Sequence, residues 1–214
     1  MSFDTLLRQA EHKALTLVSL QGKVLDLGGD RRSTYRIFMK GSPEFTIVNF
    51  SPESAPDIVH DLEQPLPVTS ATYDGVLLIN VLEHIFNYQQ LLSESVRVLK
   101  PGGKIVVVVP FLFPVHPSPR DYWRFTGESL EKLLLSAGFQ DIKIVSLGTG
   151  VFSMTYVALD RLLPSPVRLF SYYTFRYLAL VLDALFVMLA RALGKKYASA
   201  DYSLGYCVTA AASK

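Results

Sequence analysis

The densest set of reactive side chains in this 214-residue chain is the run His116–Arg124, which holds His116, Arg120, Asp121, Tyr122, Trp123 and Arg124. Histidine is the commonest side chain for taking a proton near neutral pH. Arginine binds anions through a planar fork, and the faces of tyrosine and tryptophan stack on rings. Read as a functional unit, the run makes His116 a general base, Tyr122 and Trp123 a stacking surface, and Arg120 or Arg124 an anion clamp. Pro114, Pro117 and Pro119 stiffen it, as suits a substrate wall or lid. A structural reading competes, in which Trp123 and Phe125 plug the core and Arg124 pairs with Asp121. The sequence leaves both open.

A second stretch with chemical potential is VLDLGGD, Val24–Asp30. Alternating apolar residues make a buried strand, Asp26 sits inside it, and Gly28 and Gly29 end it. Glycines allow a tight turn and close approach of the backbone to a ligand. A strand that ends this way and feeds a helix is how open α/β sheets build a nucleotide pocket at their C-terminal edge.

The elements that must position these groups follow from periodicity. Apolar spacing predicts a helix over Phe3–Leu20, capped by Ser2 or Asp4, then a strand over Lys23–Leu27 and a short helix over Arg31–Met39. Phe45–Phe50 reads as a second strand, and Val76–Asn80 (VLLIN) as a strand buried on both faces. Helices follow over Val81–Phe86 and Tyr88–Leu99, ended by the turn Lys100–Gly103. Lys104–Val109 (KIVVVV) is a further buried strand, Gly127–Ala137 a helix and Asp141–Leu147 a strand. Strands alternating with helices at this spacing imply crossover units and a mainly parallel sheet covered on both sides.

Composition narrows the class. Half the residues are hydrophobic and mean hydropathy is +0.27, so a single domain with a sizeable core is expected over residues 1–214. The balance of 21 basic and 19 acidic residues, with no basic run, argues against a nucleic-acid partner. One cysteine, Cys207, fits a reducing compartment, and the N-terminal stretch lacks the apolar centre of a signal peptide, so a cytoplasmic protein is expected. The four histidines show no paired ligand spacing with cysteine or acids, so no metal site is expected.

Taken in order, VLDLGGD, YDGVLLINVLEHI, VLKPGGKIVVVVP and LLLSAGFQDIKIVSL resemble the class I S-adenosylmethionine-dependent methyltransferases, of the type 11 kind, over about two-thirds of the chain. The resemblance implies a doubly wound, Rossmann-like seven-stranded sheet whose last strand is antiparallel, with Tyr202–Ala210 as that strand. It implies S-adenosylmethionine as cofactor, with Asp26, Gly28 and Gly29 at its amino-acid end, Asn49 and Phe50 at the ribose, and Asp61 and Leu62 at the adenine. Asn80 ends the fourth strand facing the pocket, and His84 of the following LEH supports it. Two positions depart from the family: Asp30 stands where a glycine is usual, and Asn49 where an Asp or Glu normally binds the ribose hydroxyls. H-x-x-P-x-D-Y-W-R-F-T stretches like the one here are similar to those of bacterial methyltransferases associated with surface polysaccharides. They imply O-methylation of a sugar, glycan or lipid-linked small-molecule acceptor, with His116, Tyr122 and Arg124 on the catalytic side.

Residues 151–197 form an apolar helical insertion before the last strand. Arg161, Arg168, Arg176, Asp183 and Arg191 make one narrow polar stripe, and the remaining face is broad and apolar. A transmembrane span, a cap or homodimer interface, and a peripheral membrane contact with Lys195 and Lys196 beside it all compete for this segment. A second functional class follows from the two departures: a catalytically weak methyltransferase fold that acts as a membrane- or partner-binding module.

Overall fold

Side chains alternate across the apolar strands, and this alternation builds two cores. Along β4 (Tyr73–Ile79) and β5 (Leu99–Pro110), Val76, Leu78, Ile105, Val107 and Val109 enter one core, while Leu77, Ile79, Val106 and Val108 enter the other. The computed structural model describes residues 4–160, 162–195 and 199–213. It adds β1 (Gly22–Leu27), β2 (Pro43–Asn49), β3 (Ile58–Val59), β6 (Phe139–Leu147) and β7 (Gly205–Ala212) to one seven-stranded sheet of order β3-β2-β1-β4-β5-β7-β6. The strands from β1 to β5 run parallel, and β7 slots antiparallel between β5 and β6. The doubly wound sheet with an antiparallel last strand is therefore the architecture observed.

Helices α2 (Tyr88–Val98) and α3 (Gly127–Ala137) seal one face through Leu91, Leu92, Leu130 and Leu134. Helix α1 (Leu6–Leu15) seals the other through Leu6, Leu7 and Leu15. It starts later than its apolar spacing suggests, because the Thr5 hydroxyl accepts the Arg8 N–H and caps it there; Ser2 and Phe3 lie outside the described residues. The expected helix over Arg31–Met39 shrinks to one 3-10 turn, Tyr35–Phe38. The Arg36 guanidinium takes the Asp30 and Ser33 carbonyls that a longer helix would use. Val81–Phe86 is likewise only a 3-10 turn over Leu82–His84. Lys100–Gly103 belongs to β5 rather than to a helix-ending turn, where β4 and β5 shift register.

The insertion comprises α4 (Val151–Asp160), α5 (Ser165–Tyr173) and α6 (Phe175–Ala192). Of its polar stripe, Arg176 and Asp183 turn inward, while Arg168 and Arg191 are exposed. Asp183 is buried and accepts the Phe152 and Ser153 N–H groups at 2.8 and 3.1 Å and the Thr149 hydroxyl at 2.8 Å, so α6 caps the start of α4. Arg176 is buried with its guanidinium 3.9 Å from the Tyr172 ring centroid. The apolar side, with Leu178, Val181, Leu185, Met188 and Leu189, faces outward. By length and composition, Pro166–Ala192 is apolar enough to cross a membrane. A single crossing there would separate β7 from the β5 and β6 edges it pairs with, which argues against that reading. Arg161 and Lys196 lie outside the described residues.

Candidate functional site

In an open parallel sheet the ligand crevice forms where neighbouring connections leave in opposite directions. Here that point lies between β1 and β4, and a cavity of about 860 Å³ opens at their C-terminal ends. Of the residues predicted for the site, Gly28, Asn49, Phe50, Asp61, Leu62, Asn80, His84 and Tyr122 all line it. Asp26, Gly29, His116 and Arg124 do not.

Two backbone requirements explain the glycine turn. Gly28 has φ +77°, and a Cβ there would meet Val81 Cγ2 at 2.4 Å. A Cβ on Gly29 would meet Asp26 Oδ2 at 2.6 Å and Arg36 Nη2 at 2.8 Å. Gly29 thus makes room for an ion pair. Asp26 is fully buried and accepts from Arg36 at 2.6 Å and from the Tyr35 hydroxyl at 2.7 and 2.8 Å. Burial and the adjacent Asp26 charge push the Tyr35 phenol far up, so it stays a donor. The position expected to hold a ligand's ammonium instead anchors the 3-10 turn beneath the glycines.

Asn49 is also committed. Its Nδ2 donates to the Gly28 and Gly29 carbonyls at 3.0 and 2.9 Å, and its Oδ1 accepts the Ser51 N–H at 2.9 Å. Its amide hydrogens are spent on bracing the turn, so it reaches the cavity as a wall. Asp30 lines the same cavity, and hydrogen bonds from Arg32 hold its carboxyl down to about 2, ionised at neutral pH. Asn80 has φ +54° at the end of β4, held there by its N–H to the Val108 carbonyl and by Nδ2 to Glu11 Oε1 at 3.1 Å.

The loop after β5 divides. Arg124 is locked to Asp121 at 2.5 and 2.7 Å, which holds the Asp121 carboxyl well below the usual carboxylate range. Phe125 is buried and the Trp123 indole donates to the Ile85 carbonyl at 3.1 Å. These three residues take the structural course, and Arg124 is not free to clamp an anion. Tyr122 and Arg120 face the cavity, with Arg120 Nη1 donating to the Tyr122 hydroxyl at 3.2 Å.

His116 turns inward rather than toward the cavity. Its Nδ1 donates to the Pro114 carbonyl at 3.0 Å, and its Nε2 sits 3.8 Å from Glu83 Oε1. The Glu83 carboxylate pushes His116 up from its ordinary value. His84 approaches the same oxygen with Nε2 at 3.6 Å while its Nδ1 bonds the Arg120 carbonyl. Glu83 carries no sequence signal beyond its place in LEH: no periodicity marks it as a buried acid.

Residues 32–107 match the family model described as a methyltransferase domain, a segment running from just past the glycine turn into β5. This segment is similar to methyltransferase domains over about a third of the chain. A probable S-adenosylmethionine-dependent methyltransferase of Mycolicibacterium smegmatis is 33% identical over 90 residues, 39% of this chain and 35% of that protein. A demethylmenaquinone methyltransferase of Tropheryma whipplei is 38% identical over 74 residues, 33% of this chain and 30% of that protein. The chain thus spans about a third of the length of these curated relatives. Among solved structures, a SAM-dependent methyltransferase from Archaeoglobus fulgidus superposes with a TM-score of 0.58 at 19% identity, covering 88% of this chain and 85% of that one, a likeness of fold.

Proposed function

We propose that this protein is an S-adenosylmethionine-dependent methyltransferase acting on a hydroxyl of a sugar, glycan or lipid-linked small molecule. One observation carries the reading: the methyltransferase domain places a ligand-sized cavity at the β1/β4 switch point, and its charge suits the cofactor. Asp61 and Glu63 line it together with Asp30, whose carboxylate is paired with Arg32, and Arg120 is the lining guanidinium. S-adenosylmethionine carries a sulfonium, an ammonium and one carboxylate, so an acidic wall complements it. Gly28 and Asn80 would hold the amino-acid end, Ser51 and Ser54 the ribose hydroxyls in place of the committed Asn49, and Phe50, Asp61 and Leu62 the adenine.

When bound, the cofactor supplies a methyl group that leaves a neutral thioether by in-line displacement. The chain's own work is alignment and exclusion of water. The Ser118–Tyr122 loop closes one side of the cavity. The Tyr122 ring lines the cavity with Phe86 edge-on to it at 5.3 Å, both exposed, and this aromatic platform suits the apolar face of a sugar. That platform favours the hydroxyl-bearing acceptor. Calorimetry with S-adenosylhomocysteine tests the reading: saturable binding is expected, lost in Gly28→Val, and silence at 1 mM, or about −4 kcal/mol, overturns it.

A second reading concerns location. We infer that the outward apolar side of α5 and α6 rests on a lipid bilayer while the domain works from the water side. Exposed Phe170, Leu178, Val181, Leu185 and Met188 form the surface, and exposed Arg191 and Lys195 stand at its end to meet lipid phosphates.

A further inference from the structure

We propose that Glu83, His84 and His116 form a binding site for one divalent transition-metal ion, a site whose ion binding stands apart from the methyl-transfer reading even though its catalytic use would rest on it. The Glu83 side chain is fully buried, and neither carboxylate oxygen has a hydrogen-bond partner. A buried carboxylate without partners costs several kcal/mol and demands a compensating charge. The two imidazoles beside it are too far away to supply a hydrogen bond: their Nε2 atoms stand 3.6 and 3.8 Å from Oε1, against about 2.7–3.2 Å for a bond of this kind.

Those separations are instead close to the spacing of a metal's donors. Two bonds of about 2.1 Å at a tetrahedral angle set donor atoms about 3.4 Å apart. One donor atom from each of the three residues lies within 4.8 Å of the others. A shift of a few tenths of an ångström brings each Glu–His distance to that spacing, and a rotation of the imidazoles brings the pair of histidines in from within 4.8 Å.

Tautomer and orientation are fixed in the manner metal ligands require. Both histidines commit Nδ1 to a backbone carbonyl, Arg120 for His84 and Pro114 for His116, so each presents a bare Nε2 lone pair toward Glu83. His116 Nδ1 also lies 3.3 Å from Asp121 Oδ2, and Asp121 takes the His116 N–H at 2.9 Å and is itself clamped by Arg124. Carboxylate, histidine and ion in series is a recurrent outer support for metal sites. The Glu83 carbonyl accepts the N–H groups of Tyr122 and Trp123 at 2.9 and 3.2 Å, which ties the two ligand-bearing segments together.

Two neutral imidazoles and one carboxylate suit a borderline ion such as Zn²⁺, Co²⁺ or Fe²⁺ better than the all-oxygen preference of Mg²⁺ or Ca²⁺. His84 also lines the large cavity, so the ion would sit at its edge. There it would lower the pKa of a hydroxyl brought to an open coordination position, a task for which the sequence had offered His116 as base.

The test needs neither cofactor nor acceptor. The tag-free full chain is stripped with a chelator and titrated with Co²⁺, then with Zn²⁺. One equivalent of Co²⁺ is expected to give visible d–d absorption, displaced by Zn²⁺, with a thermal upshift. Glu83→Gln and His116→Ala are each expected to weaken binding at least ~10-fold, while His60→Ala, outside the cluster, leaves it unchanged. No visible absorption from the wild-type chain overturns the proposal whether or not any variant folds. So does binding that survives in folded Glu83→Gln and His116→Ala. Calorimetry with S-adenosylhomocysteine on the same stripped sample reports on the cofactor cavity separately.

Discussion

Asn49 shows how one side chain redirects a site. An acid at the end of β2 would bind ribose hydroxyls, yet here the amide donates to both glycine carbonyls and accepts from Ser51. An aspartate in its place would set a carboxylate against two carbonyl oxygens. Asn49→Asp, which brings in the family's acidic residue, is therefore expected to destabilise the protein by about 1–3 kcal/mol and to weaken S-adenosylhomocysteine binding. Thermal unfolding and calorimetry measure both, and tighter binding with an unchanged Tm would refute the bracing role. Asp26 follows the same logic. With Arg36 and Tyr35 already on its carboxylate, it holds the shape of the turn, and Asp30, paired with Arg32, lines the cavity instead.

At the scale of elements, α6 inverts the usual amphipathic arrangement. A helix packed on a soluble domain normally buries its apolar stripe. In α6 the buried charges are Arg176, which stacks on Tyr172, and Asp183, which caps α4, so the apolar side is left for the surroundings and Arg191 stays exposed at the helix end. Leu185→Glu with Met188→Glu is expected to abolish flotation with vesicles containing anionic lipid and leave the Tm within a few degrees of wild type. Flotation equal to wild type, or a wild-type chain that stays with the soluble fraction, would refute the bilayer contact. The Ser118–Tyr122 loop is a second such element. It is pinned from below by the Glu83 carbonyl, which makes it a fixed wall and gives the Phe86–Tyr122 platform a defined position.

For the molecule as a whole, α1 links global stability to the site. Glu11 is buried on α1 and accepts from Asn80, the strained residue at the end of β4. Burial raises its pKa above the ordinary carboxylate value, with Arg8 and the Asn80 bond opposing. The folded state then binds this proton more tightly than the unfolded chain. Stability is consequently lost as pH rises from the unfolded toward the folded pKa, and the loss is complete above it. Glu11→Gln keeps an acceptor for Asn80 and removes the buried charge. It is expected to raise Tm by about 2–4 °C at pH 8 and by less at pH 4. Equal shifts at the two pH values, read by calorimetric scans, would refute this account.

The sequence by itself determined the fold and most of the cavity. Period-two apolar runs fix which residues enter each core, and the glycine-ended strand marks where a ligand edge forms; the resemblance to the methyltransferases, rather than any spacing, is what grouped Gly28, Asn49, Phe50, Asp61, Leu62, Asn80 and His84, and all of them line one cavity. The core pattern and the glycine turn are local signals carried by backbone geometry. Orientation was not legible. Whether Arg124 meets a substrate or Asp121, whether His116 faces the cavity or Glu83, and whether the polar stripe of α6 points in or out depend on partners distant in sequence. The three-residue cluster joins positions 83, 84 and 116, a spacing with no metal-ligand signature, and only the packing of the loop after β5 onto the LEH turn brings them together. Burial is what gives the cluster meaning: a glutamate costs little in water, and it demands a cation once the tertiary structure has taken the water away.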